Sequence, residues 1–376
     1  MKTSLSEYFI SLVKIDSESR NEKTMALQVA KNLKKLGAKV WFDDAYRETG
    51  SDSGNLYAYY PGNIKAEPIL FCAHLDTVVP GKGIKPVIEG DRIKSDGSTV
   101  LGGDDKSGIA EVIWALKKLK DSNLSHGPVE VLFTVCEEIG LLGAKNVDYS
   151  RLRSKIGYAL DGHRVGELTI GAPYQNTIEY RIYGKEAHAG VEPEKGISAI
   201  QIAAHAITQM PLGRIDHETT CNVGLISGGK ATNIIPKEVY LKTEVRSHDQ
   251  KKLENITTRL TETMQKTALQ FSRENFHPQI KVKLQQEYTG FRIPPEHLVV
   301  QMGLQAASNL NIESGTNIGG GGSDANIFNR NGLEIVIAGT GMDNVHTVNE
   351  FILLSELEKG ASWVEEVIKI HSTTGK

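Results

Sequence analysis

The chain has little cysteine: Cys72, Cys136 and Cys221 are the only three in 376 residues, and no two of them form a C-x-x-C pair. That excludes a disulfide framework and a four-thiolate metal site. Each lies inside or beside an apolar, strand-like run, the setting of a reduced and buried thiol, with Cys72 or Cys136 as a metal ligand the alternative. An excess of charge of either sign is missing too. A formal net charge of −3 offers no electrostatic footprint for nucleic acid or for an anionic membrane surface. No apolar run reaches the length of a spanning helix, and the opening Met1-Lys-Thr-Ser-Leu-Ser-Glu-Tyr8 has no signal-peptide core, so a cytoplasmic protein is expected. The string G-x-S-x-G is missing, which disfavours a serine hydrolase. The glycines at 319–322 lack the Lys-Ser/Thr ending of a phosphate-binding loop.

What is present is an alternation of helix and strand patterns, in a chain too long for one typical core. Helical periodicity covers 5–15 and 24–36, and strand patterns cover 40–42, 55–60 and 69–75. After Leu101-Gly-Gly-Asp-Asp-Lys-Ser-Gly108, the residues Ile109, Val112, Ile113, Leu116 and Leu119 recur at helical spacing, and a strand at 129–135 follows. This predicts an α/β domain with a mixed sheet between helices. The pattern changes at about 174. A half-exposed strand at 177–183, a helix at 197–210, strands at 220–226 and 238–245, a long helix at 250–271 capped by Asp249 and a strand at 279–286 spell β-α-β-β-α-β, the order of a ferredoxin-like α+β sandwich. Residues 174–289 are therefore expected to be an inserted domain. Residues 1–173 and 290–376, with a helix at 298–309, a buried strand at 334–338 and a helix at 354–370, are expected to form one discontinuous catalytic domain.

The candidate chemistry collects at predicted strand ends. His74 and Asp76 end the run Ile69-Leu-Phe-Cys-Ala-His-Leu-Asp-Thr-Val78. Side chains two apart on a strand share a face, so Asp76 can orient a metal-ligating His74. Asp104 and Asp105 precede a helix in a glycine-flanked loop. They suit either an N-cap pair or a carboxylate aimed at cations. Glu137 and Glu138 end a strand, where opposite faces would let one bind metal and its neighbour act as a base; two solvated glutamates are the alternative. Asp161 and His346 follow apolar runs in the same way, and such carboxyl ends line the crevice of an open α/β sheet. Two histidines and three carboxylates suit zinc, with cobalt or manganese as substitutes.

The strings Ala73-His-Leu-Asp-Thr77, Gly102-Gly-Asp-Asp-Lys-Ser-Gly108, Glu137-Glu-Ile-Gly140, Asp161-Gly162 with Val165-Gly-Glu-Leu168, and Lys185-Glu-Ala-His-Ala-Gly190 resemble the co-catalytic dizinc exopeptidases and aminoacylases, and within them the peptidase T, or tripeptidase, branch. The resemblance implies His74 and Asp161 on one zinc, Glu138 and His346 on the other, and Asp104 bridging, with Asp76 orienting His74 and Glu137 as general base. It also implies a cis peptide bond after Asp104. His188, otherwise a surface turn residue, matches a histidine that reaches the oxyanion, in many members from a partner subunit. Arg246 matches an arginine that grips the substrate carboxylate, and Asn233 falls where relatives touch substrate, with a plain strand-turn asparagine the alternative. One departure stands out: Gly319-Gly-Gly-Gly-Ser-Asp-Ala325 lacks the arginine that peptidase T carries before its Gly-Gly-Thr-Asp loop. The expectation is a dizinc exopeptidase for short peptides, with a homodimer through the inserted domain an open point. The alternatives are a deacylase of N-acyl amino acids or a carboxypeptidase of the same superfamily; a non-catalytic binding protein would need lesions among these residues, and none is present.

Overall fold

The computed structural model describes residues 4–374. The chain forms two compact units: the first takes the described residues up to Gly171, then Arg292–Gly319 and those from Ser323 onward, and the second is Ala172–Phe291 with Gly320–Gly322.

The first unit is built on an eight-stranded mixed sheet in the order Lys39–Phe42, Leu56–Tyr60, Val129–Thr134, Ile69–His74, Ile156–Gly162, Glu334–Gly339, Glu167–Thr169, Gly315–Asn317. Its four central strands, from Val129–Thr134 to Glu334–Gly339, are parallel to one another. Ile69–His74 and Val129–Thr134 are buried along their whole length, as expected for parallel strands covered on both faces. The helix Gly103–Ser122 packs on the strands Ile69–His74 and Ile156–Gly162 and against the helix Leu354–Thr374. The predicted stripe of Ile109, Val112, Ile113, Leu116 and Leu119 is the buried face of that helix.

A second, four-stranded sheet of two- and three-residue strands was not legible in the sequence: Met342–Asp343, Phe351–Leu353, Arg92–Lys94 and Val87–Glu89. Strands this short carry no readable period. The helix Asp324–Arg330 was also missed, and its capping box, Ser323 with Asn326, uses residues next to the glycine run.

The second unit is a five-stranded antiparallel sheet, Gly213–Arg214, Thr219–Gly228, Glu238–Ser247, Tyr174–Tyr183, Gln279–Tyr288 in that order, with the helices Ala199–Ile207 and Gln250–Gln270. Apart from the extra two-residue strand Gly213–Arg214, the elements follow the expected β-α-β-β-α-β order. Glu238–Ser247 alternates strictly between buried and half-buried residues, and Ile178, Tyr180, Ile182, Leu241, Leu253 and Leu260 are among the side chains that form a core with the two helices. Asp249 caps the long helix by accepting from the Lys252 N–H at 3.0 Å.

No helix among the described residues is long and apolar enough to cross a membrane. All three cysteines are free and buried.

Candidate metal centre

The four parallel strands end on one side of the sheet, and the predicted ligands gather there. His74 is the last residue of its strand and Asp161 the last but one of its own. His346 lies in the loop between Met342–Asp343 and Phe351–Leu353, which pair with each other in the small sheet. Glu137 and Glu138 follow the end of Val129–Thr134.

Asp104 stands at the centre. Its Oδ1 lies 2.8 Å from His74 Nε2 and its Oδ2 3.0 Å from His346 Nε2. His346 Nε2 is in turn 3.1 Å from Glu138. Two triads with ligand atoms within 4.8 Å of one another result: His74, Asp104 and Asp161, and Asp104, Glu138 and His346. Asp104 belongs to both. His74, Glu137 and Glu138 form a third such group. None of these groups contains a cysteine, which leaves the thiolate-ligand alternative without support.

The adjacent aspartates divide the two readings their sequence left open. Asp104 takes φ −79 and ψ 104, outside helical geometry, and the helix N-cap is Gly102, in left-handed conformation. Asp105 instead does the capping work, accepting from the Gly108 N–H at 3.2 Å, while its other oxygen takes the His74 N–H at 3.2 Å. The peptide bond between them is cis.

Two expectations need correction. Glu137 and Glu138 do not face opposite ways, because they lie beyond the strand, and Cys136 turns the chain with φ 54, so both carboxylates come within reach of His74. Asp76 orients His74 chiefly through its backbone: the carbonyl oxygen lies 2.9 Å from His74 Nδ1 and the nearer carboxylate oxygen 3.5 Å. The Asp76 carboxylate is engaged by the Glu137 and Glu138 N–H groups, at 3.0 and 3.2 Å, and by the Ser19 hydroxyl at 2.7 Å.

The electrostatics follow from negative groups crowded out of water. Burial pushes the Glu137 and Asp161 carboxyls well above the usual carboxylate range; the neighbouring Asp161 and Asp324 add to the effect on Glu137, and Asp104 adds to that on Asp161. Burial also raises Asp104, but the hydrogen bonds from His346 and His74 hold it below that range. Bonds to Asp104 and Glu138 push the His346 imidazole up to about 10. His74, pulled down by burial, ends well above its ordinary value because Asp104 and Asp76 stand beside it. The cluster demands positive charge, and its mixture of imidazole nitrogen and carboxylate oxygen is a donor set that divalent transition metals fit.

A model of the peptidase family M20/M25/M40 matches residues 70–370. The chain belongs to that family. Peptidase T of Bacillus velezensis is 28% identical to it over 418 residues, covering 98% of this chain and 99% of that protein. The crystal structure of aminopeptidase PepT from Bacillus cereus ATCC 10987 is 41% identical with a TM-score of 0.89, and that of a tripeptidase from Staphylococcus aureus is 38% identical with a TM-score of 0.93; each match covers 98% of both chains. This M20 member is thus a peptide hydrolase of the metal-dependent kind, and peptidase T is among its relatives.

The remaining candidates of this peptidase lie in the second unit. His188 is exposed, and its Nδ1 accepts from the Gly190 N–H at 3.2 Å. Asn233 is exposed beside it, its carbonyl accepting from the Ala189 N–H at 2.9 Å. Arg246 gives Nε–H and one Nη2–H to Glu244, at 3.2 and 3.1 Å, and an Nη1–H to the Gly320 carbonyl at 3.5 Å.

The sequence reading missed Glu350 and Asp324. Glu350 is buried and accepts from the Leu101, Gly102 and Asp104 N–H groups at 2.7, 2.8 and 3.0 Å. It therefore fixes the glycine loop that aims Asp104, and nothing in its local string announces this. Asp324 accepts from the Thr134 hydroxyl, and burial pushes its carboxyl up to about 7; its place after the glycine run was the one available signal. Glu350→Ala should weaken metal binding by roughly 10–100-fold, the usual effect of removing a group that holds a ligand in place. Glu350→Gln, which keeps one acceptor oxygen, should fall between. Competition with a chromophoric chelator measures this, and unchanged affinity in Glu350→Ala would show that the loop holds itself.

Proposed function

We propose that this peptidase is a dizinc aminotripeptidase that removes the N-terminal residue from short peptides, cobalt and manganese being able to replace zinc. The observation that carries the reading is the sharing of Asp104 between two ligand triads. On this reading His74 and Asp161 would hold one ion and Glu138 and His346 the other, with Asp104 shared between the two sets. Bound there, two such ions would lower the pKa of a water and polarise the scissile carbonyl.

The rest falls to the chain's own side chains. Glu137 takes the proton of the attacking water on its carboxylate and gives it to the leaving amine. Burial raises its proton affinity above that of a solvated glutamate. Arg246 grips the substrate carboxylate with its guanidinium, exchanging its long 3.5 Å bond to the Gly320 carbonyl for the ligand while Glu244 keeps Nε and Nη2. His188 donates to the oxyanion that develops as the carbonyl is attacked, from this chain or from a partner subunit. Asn233, next to His188 in the fold, contacts substrate. A homodimer through the second unit belongs to the same reading, supported by Leu225 and Ile226, exposed by 58% and 54% on the strand Thr219–Gly228. Cytoplasmic residence is supported by the three free thiols. No charged groove for nucleic acid and no membrane segment enters the proposal.

The discriminating experiment offers tripeptides, dipeptides, N-acetylated tripeptides and N-acetyl amino acids to the zinc-loaded protein. Release of the N-terminal residue from free tripeptides, with N-acetyl compounds inert, is expected. Preferred cleavage of N-acetyl amino acids would make it a deacylase, and release of C-terminal residues from blocked peptides a carboxypeptidase. The two glutamates separate in a second measurement. Glu137→Ala should retain its metal while kcat falls by on the order of 10²–10⁴, and Glu138→Ala should lose metal as well. Equal metal loss in both would reverse or merge the two roles.

A further inference from the structure

Past Thr134 the strand Val129–Thr134 ends, and each of the next four backbone N–H groups is taken by a buried side chain from elsewhere in the unit. Val135 donates to Asn55 Oδ1 at 3.1 Å, Cys136 to Glu22 Oε1 at 3.0 Å, and Glu137 and Glu138 to the two oxygens of Asp76 at 3.0 and 3.2 Å. Asn55, Glu22 and Asp76 are fully buried. The segment that carries the base and a metal ligand is therefore hung on side chains rather than on sheet pairing.

Within this set Glu22 has the least obvious reason to exist. It comes just before the helix Lys23–Leu36 but makes no side-chain cap to it. Its carboxylate points instead at Cys136, accepting from both the backbone N–H and, at 3.2 Å, the thiol. It is itself fixed from two further sides, by the Arg20 N–H at 2.9 Å and the Ser51 hydroxyl at 2.5 Å. Cys136 is the residue with φ 54, a left-handed conformation that side chains seldom adopt and that needs surrounding contacts to persist. A buried carboxylate is a costly way to fill space, since an apolar side chain would fill it without desolvating a charge.

We propose that Glu22 is a positioning residue for peptide hydrolysis: by holding the Cys136 N–H it fixes the left-handed bend that turns Glu137 toward the metal cluster. The inference rests on the reading of Glu137 as the proton carrier. Glu22 touches neither the ligand triads nor a substrate group, so at saturating metal its loss should appear in kcat and leave KM nearly unchanged; Glu138 rides on the same bend but is also held through its own N–H by Asp76. A misaimed catalytic group costs up to roughly 10²-fold in rate.

Steady-state kinetics of zinc-loaded variants on a tripeptide test this. Glu22→Ala should lower kcat by roughly 10–100-fold. Glu22→Gln, which keeps an oxygen for the Cys136 N–H, should regain most of the loss. If Glu22→Ala does not fold, Glu22→Asp carries the test, because it keeps the charge and withdraws the acceptor by one methylene; kcat should again fall. Added to Glu137→Ala, the Glu22 substitution should cost nothing more, since the group it aims is gone. A folded, metal-loaded Glu22→Ala or Glu22→Asp with wild-type kcat overturns the inference, as does an equal further loss in the Glu137→Ala background. A Glu137→Ala protein with wild-type kcat would bring down the base assignment and this inference together. An inactive Glu137→Ala beside a fully active Glu22→Ala would bring down the inference alone.

Discussion

A single carboxylate, Asp104, faces an imidazole through each of its two oxygens, His74 at 2.8 Å and His346 at 3.0 Å, in a crevice where burial drives the neighbouring carboxyls Glu137 and Asp161 toward the protonated form. Much of the first unit can be read as what this contact requires. The parallel strands bring His74 and Asp161 to one edge of the sheet. Gly102, with φ 72, turns the chain so that Asp104 leaves the helical path, and Glu350 holds that turn through three amide donors. The small second sheet closes the loop from which His346 approaches. Each of these features aims a ligand rather than filling the core, which is why local substitutions there should register as lost metal before lost fold.

The residues that meet around Asp104 left a compact record in the sequence. His74, Asp104, Glu138, Asp161 and His346, with Glu137 beside them, sit next to apolar runs or glycines, and the strings around them carry the family resemblance that grouped them. The order of elements in the second unit was legible from periodicity: ten-residue strands such as Tyr174–Tyr183 and Glu238–Ser247 repeat the alternation often enough to be seen.

What stayed hidden lies in contacts far apart in the chain. Glu350 serves Asp104 from 246 positions away and Glu22 serves Cys136 from 114; neither stands in a string that differs from an ordinary surface glutamate. The orientation of Glu137 and Glu138 was misjudged because strand alternation was carried past Thr134, where the pairing has already stopped and Cys136 bends the backbone. For Asp76 the atom differs from the expected one: its carbonyl, not its carboxylate, lies nearer His74. Backbone groups have no letter in a sequence, so such roles are invisible until the fold is known.

The central claim is that Asp104 is shared by two metal sites, and calorimetric titration of metal-free protein with zinc tests it most directly. The account predicts two ions bound per wild-type chain and the loss of both sites in Asp104→Ala, while His346→Ala, a member of only one triad, should keep one. An Asp104→Ala protein that retained one ion at wild-type affinity, or a wild-type chain that bound a single ion, would contradict it.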